Sequence, residues 1–118
     1  MYKIIFYTDQ NNRSDLLDFI NELRRKKNTK ESRIKLNKIA AYLNQLSKNG
    51  LLIGEPYIKH LQEDIWELRP SRDRILFAFL NNKEILLISH FIKKTQKTPK
   101  REIEKAMRLL KEYKERRN

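Results

Sequence analysis

The sequence predicts an α+β domain with elements in the order β-α-α-β-β-β-β-α and a mainly antiparallel sheet packed against helices. Three observations lead there. Apolar residues recur at helical spacing in three separate segments. Four strand-like runs lie between the second and third of these, joined by connections so short that the strands must be antiparallel. Two of the runs, ILFAFL and ILLISHFI, are apolar at nearly every position, so helices have to cover the sheet. With 118 residues, the chain has room for one domain, spanning 1–118.

The first strand is read in residues 2–8, which are aromatic and β-branched. Asn12 or Ser14 can cap the helix that follows, whose apolar face is Leu16, Phe19, Ile20 and Leu23. Its end carries Arg24, Arg25, Lys26 and Lys27, cations that suit a helix C-terminus. Asn28, with Glu31 three residues on, resembles a capping box for a second helix. That helix would bury Leu36, Ile39, Ala40, Leu43 and Leu46 and stop at Asn49-Gly50. Gly54 and Pro56 break the pattern before strands at 57–61, 65–69, 74–80 and 85–92. Turns are expected at Pro70-Ser71-Arg72-Asp73 and at Asn81-Asn82-Lys83. Thr98-Pro99 reads as a cap followed by proline at the first helical position. The last helix would bury Ile103, Ala106, Met107, Leu110 and Tyr113 and fray after Tyr113.

Composition narrows the function. The net charge is +12, from 27 Lys and Arg against 15 Asp and Glu, which points to polyanionic partners. Residues 93–118 hold eleven cations and four glutamates, and so carry more than half of the excess. There is no cysteine, which rules out disulfides, thiolate metal sites and thiol nucleophiles and fits a reducing cytoplasm. No stretch approaches the roughly 20 apolar residues needed to span a bilayer, so no membrane association is expected. The only glycines are Gly50 and Gly54, too few for a phosphate-cradling loop. Carboxylates are not clustered and no His pair has ligand spacing, so neither metal nor cofactor is implied.

The candidate chemistry lies between Ile65 and Pro99. Strand parity sets Glu67 and Arg69 on one face, opposite Trp66 and Leu68, and a tight turn brings Arg74 near Arg69. His90, Lys93 and Lys94 lie at or just beyond the end of the last strand, where they can converge with the other three. Cleaving RNA requires a base for the 2′-hydroxyl proton, cations around the phosphate and an acid for the leaving 5′-oxygen. Arg69 and Arg74 suit bidentate phosphate binding. Glu67 or His90 could serve as the base, and Lys94 or Lys93 could stabilise charge or donate a proton. Lys59, His60, Arg72, Lys93, Lys97, Lys100, Arg101 and Arg108 are candidate contacts to RNA or ribosome, supplying affinity for phosphates rather than a named chemistry.

The spacing W-E-L-R…R-I-L-F-A-F…I-L-L-I-S-H-F-I-K-K-T-Q-K-T-P, followed by an amphipathic helix containing Ala106, resembles the HigB branch of the RelE/ParE toxins, phage Gp49-like proteins among them. The match is close over 59–113, and the two N-terminal helices agree in order and size. The resemblance implies a RelE-like, microbial-RNase-type fold. It also implies a type II toxin that cleaves translated mRNA in the ribosomal A site without metal or cofactor. The partner implied is a small helix-turn-helix antitoxin, HigA-like, in a heterotetramer that binds operator DNA through the antitoxin. Arg69 and Arg74 match the arginines that close the catalytic hairpin, and Lys94 falls where a basic residue follows the last strand. Glu67 stands at a position that is basic in RelE proteins, and no tyrosine occurs in 93–101 where some relatives use one. The resemblance therefore leaves the base open between Glu67 and His90. Two rivals stand beside this reading. One is a gyrase-poisoning toxin of the same fold, and the other is an RNA-binding module with no chemistry.

Overall fold

The computed structural model describes residues 1–117 and has the expected order of elements. They are β1 (Lys3–Phe6), α1 (Asp15–Arg25), α2 (Lys30–Asn49), a single 3-10 turn (Gly50–Ile53), β2 (Ile58–Gln62), β3 (Ile65–Leu68), β4 (Asp73–Leu80), β5 (Glu84–Ile92) and α3 (Lys100–Arg117). Both N-terminal helices start on a hydroxyl cap. Ser14, rather than Asn12, accepts the backbone N–H of Leu17. Thr29, rather than Asn28, accepts that of Ser32, because Thr29 is the extended residue at the helix entrance. Gly50 closes α2 at φ +56, and a Cβ there would lie 2.6 Å from the ring of Tyr2.

The five strands form one sheet in the order β1-β5-β4-β3-β2. β1 runs parallel to β5, with Ile5 opposite Leu86, and every other pairing is antiparallel. β4 and β5 are central, which explains why their sequences are continuously apolar: both faces are covered. On one face α1 and α2 bring Leu16, Ile20, Leu23, Ile39 and Leu46 onto Leu68, Ile75, Phe77, Ile85 and Leu87. On the other, α3 lays Ala106 and Leu110 on Ile65, Leu76, Ala78, Leu86 and Ile88. Ala40, expected in the buried stripe of α2, is exposed, since Leu36, Ile39, Leu43 and Leu46 already fill that face.

Two departures from the expected pattern stand out, the second of which bears on the site. First, α3 does not fray after Tyr113 but runs to Arg117. The Arg116 guanidinium donates to the Thr8 carbonyl (2.6 Å), and the Tyr7 hydroxyl donates to Glu112 (3.0 Å), so the last turns are tied to the chain after β1. Second, the β4–β5 register slips by one residue. Leu76 faces Ser89 while Phe77 faces Leu87, leaving Ile88 as a bulge. Without the bulge, residue 90 would share the α3 face with Leu86 and Ile88. With it, His90 turns to the α1/α2 face.

Candidate active site

Alternation along β3 sends Ile65 and Glu67 to the α3 face and Trp66 and Leu68 to the other. Glu67 is fully buried at 1% exposure, an unusual position for a carboxylate, and its oxygens are partnered from three directions. The Arg69 Nε lies 3.3 Å from Oε1 and the Arg74 Nε 3.8 Å from the same oxygen. The other oxygen, Oε2, accepts a short hydrogen bond from the hydroxyl of Thr98.

Arg74 is the second residue of β4, just beyond the β3–β4 turn, and is itself buried. Its Nη1 donates to the carbonyls of Ser71 (2.7 Å) and Asp73 (3.0 Å), so the turn holds the guanidinium in place. Burial pushes its pKa down from the ordinary arginine value, and Arg69 adds to the drop while Glu67 opposes it. The guanidinium remains charged at any physiological pH. Arg69 is more open, with its side chain about a quarter exposed. Its Nε makes no hydrogen bond, although the atom is buried. Its attraction to Glu67 is coulombic.

These groups form the floor of a cleft of about 440 Å³, roofed by the loop between β5 and α3. That loop contributes Lys93, Lys94 and Lys97, and the first turn of α3 contributes Arg101 and Glu102. Lys93 N–H donates to the Arg72 carbonyl (2.7 Å) and Arg72 Nη2 donates back to the Lys93 carbonyl (3.0 Å), which ties the loop to the β3–β4 turn. Six cations thus face two carboxylates around a concave floor. Such a cleft suits a phosphodiester, whose charge grows during cleavage.

The expected site residues divide into three groups. Glu67, Arg69, Arg74, Lys93, Lys94, Lys97 and Arg101 are brought together in the cleft. Lys59, His60, Arg72, Lys100 and Arg108 do not line it. Lys59 and His60 instead border a shallow hollow with Leu51, Ile58 and Trp66, where the His60 Nε2 lies 2.6 Å from the Glu63 carbonyl. His90 requires a correction. Its position in β5 borders the cleft, yet its ring lies on the opposite face of the sheet, stacked on Phe19 at 3.9 Å between centroids and 2.9 Å from Asp73. It does not converge with Glu67 and the arginines.

Thr98 is the residue that sequence reasoning missed. It was expected to cap α3, but its hydroxyl goes to Glu67, and the helix begins at Lys100, its first backbone bonds running from Glu102 and Ile103 to the Pro99 carbonyl. The burial of Glu67, not visible in sequence, is what gives that threonine a partner.

The model of the family described as Phage derived protein Gp49-like (DUF891) matches residues 18–111. The chain belongs to this family. Gp49-like proteins are a RelE/HigB-like toxin family, and the α+β architecture is consistent with a phage-derived, toxin-like protein. The match spans α1 to α3 and contains every residue of the cleft, whereas β1 lies outside it. No curated protein matches the chain in sequence. Among the described residues, no helix is long and apolar enough to cross a membrane, and no three His, Asp or Glu side chains gather as a cation site.

Proposed function

We propose that this Gp49-like protein is the toxin of a type II toxin–antitoxin system and cleaves translated mRNA on the ribosome as an endoribonuclease. The observation that carries the reading is the Glu67–Arg69–Arg74 cluster, a buried carboxylate held between two guanidinium groups at the floor of a cation-lined cleft. The scissile phosphate lies against Arg69 and Arg74, whose guanidinium forks match two phosphate oxygens. Glu67 takes the proton of the 2′-hydroxyl. The 2′-oxygen attacks phosphorus, the bond to the 5′-oxygen breaks, and that oxygen leaves with a proton from Lys94 or Lys93. The products are a 2′,3′-cyclic phosphate and a free 5′-hydroxyl. Arg74, close to both Glu67 and the phosphate, offsets the charge that builds on the non-bridging oxygens.

Dependence on the ribosome rests on charge. The exposed Lys97, Lys100, Arg101 and Arg108 lie on or beside the outer face of α3, and a net charge of +12 favours docking on ribosomal RNA. The same charge suits an acidic partner, and the antitoxin is a small HigA-like helix-turn-helix protein. Toxin and antitoxin form a heterotetramer that reaches operator DNA through the antitoxin. The site of action is the cytoplasm, where mRNA is translated.

The test is a reconstituted translation reaction in which transcript 5′ ends are mapped by primer extension, with Arg74→Ala and a ribosome-free reaction alongside. New ends inside translated codons, absent from both controls, are expected. Intact transcript under conditions where the protein binds ribosomes would overturn the proposal. A change in DNA supercoiling with mRNA intact would mark a gyrase poison instead.

A further inference from the structure

On the face of the sheet opposite the cleft lies a second polar cluster that the proposed chemistry does not use. Asp73 is 1% exposed, and its Oδ1 accepts from His90 Nε2 at 2.9 Å. The ammonium of Lys35, on α2, stands 3.8 Å from the other oxygen. Phe19, on α1, stacks flat on the imidazole, and the Lys35 ammonium lies 5.8 Å from the centre of the Phe19 ring. A carboxylate at this depth is retained only if partnered, and its two partners come from separate elements, β5 and α2, while Phe19 on α1 packs the imidazole in place.

We infer that Asp73 is a positioning residue for Arg74, acting with His90 and Lys35 through the backbone. The inference rests on the catalytic reading of the cleft given above. Asp73 and Arg74 are adjacent in β4, so their side chains leave opposite faces of the sheet. Anchoring the carboxylate on one face fixes the direction in which Arg74 leaves the other. The coupling is also direct, because Arg74 Nη1 donates to the Asp73 carbonyl. Its second acceptor, the Ser71 carbonyl, belongs to the same turn, which the Asp73 N–H closes on the Pro70 carbonyl at 3.1 Å. Ser71 sits at φ +59, a backbone region that serine rarely adopts, so the turn needs such an anchor to stay in this form. The anchor therefore holds both carbonyls that aim the guanidinium. A guanidinium displaced by about 1 Å from a transferring phosphate can cost on the order of 100-fold in rate.

The test is a double-mutant cycle in single-turnover cleavage on translating ribosomes. Asp73→Ala is expected to lower kcat roughly 10- to 100-fold while KM changes by less than about threefold. Asp73→Asn, which keeps an acceptor for His90, is expected to recover part of the loss. In an Arg74→Lys background, Asp73→Ala is expected to cost no more than about twofold, because the group it positions is gone. Full additivity of the two losses would overturn the inference. If Asp73→Ala does not fold, Asp73→Asn takes its place in the cycle, with the same non-additivity expected and full additivity again overturning the inference. A second readout needs no cleavage: the nuclear magnetic resonance signal of the Arg74 Nε–Hε group and its protection from solvent exchange. A shifted, less protected signal in Asp73→Asn supports positioning, and an unchanged one overturns it. Uncut mRNA with the wild-type protein would instead remove the nuclease reading, while the Arg74 signal still decides the role of Asp73.

Discussion

The Thr98 hydroxyl donates to Glu67, a residue 31 positions earlier in the chain, and so joins the α3 end of the cleft's roof to its floor. The bond satisfies one oxygen of a buried carboxylate and fixes the plane in which the other faces Arg69 and Arg74. Thr98→Val keeps the shape of the side chain and removes the donor. Stability is expected to fall by about 1–3 kcal/mol, the cost of an unsatisfied buried acceptor, and cleavage to fall with it. Thr98→Ser retains the hydroxyl and is expected to retain both. Denaturant unfolding and transcript mapping on the three proteins check this.

Glu67 also holds the two arginines together. Glu67→Ala leaves the buried Arg74 and the half-buried Arg69 without their shared counter-charge, and breaking such a buried pair costs about 3–5 kcal/mol. Arg74→Met in the same protein removes the stranded charge and is expected to restore more than half of the loss. Urea midpoints of the single and double variants decide it. A double variant less stable than Glu67→Ala would show that the cluster does not act as a unit.

Much of this arrangement was legible in the chain, and the parts that were not share a physical cause. Element order, the turn at 70–73 and the proximity of Glu67, Arg69 and Arg74 follow from local patterns, since parity and a short turn act over a few residues. His90 was misplaced because one bulge at Ile88 reverses the face of everything after it, and nothing in ILLISHFI marks where the extra residue falls. Thr98 was read as a cap because its partner lies in another strand. The role of Asp73 was hidden for the same reason. As part of a turn it reads as a solvated residue, and only the packing of α1 and α2 reveals that its carboxylate is buried. The parallel pairing of β1 with β5 is equally non-local.

The exposed lysines of the cleft's roof divide between affinity and chemistry. Lys94 and Lys97 line the cleft but lie at its open side. Lys97→Gln is expected to weaken RNA binding for all sequences and to lower the slope of log K against log salt by roughly one, with little change in kcat. Lys94→Gln is expected to do the same to the slope and also to reduce kcat, and an unchanged kcat would assign the proton donor to Lys93. Binding titrations to a non-cleavable RNA at several salt concentrations, with single-turnover rates at saturation, separate the two.

Gly50 is confined from two sides. Its φ of +56 disfavours any side chain, and the Cβ of an alanine would come within 2.6 Å of the Tyr2 ring, which packs on the α1/α2 core. Gly50→Ala is expected to cost more than the roughly 1–3 kcal/mol of the backbone conformation alone. Gly54, also at positive φ but with open space around it, is expected to show only the backbone cost. Thermal unfolding of the two variants compares them directly.

The C-terminal end of α3 is fastened by an alkaline-sensitive tie. Tyr7 is buried and donates to Glu112, and burial first, then that hydrogen bond and the charge of Glu112, raise its pKa above the ordinary value of 10.0. A group whose folded pKa is raised stabilises the fold in full below its unfolded value. The contribution is lost as pH rises through the folded one. Tyr7→Phe is therefore expected to be less stable than the wild type by about 1 kcal/mol at neutral pH, the worth of the hydrogen bond. The gap should close above pH ~10, where the unfolded tyrosine ionises and the phenylalanine does not. Urea unfolding of both proteins across that range gives the gap, and phenolate absorbance in the folded wild type gives the titration. A gap that stays constant through the alkaline range would show that Tyr7 ionises equally well in both states.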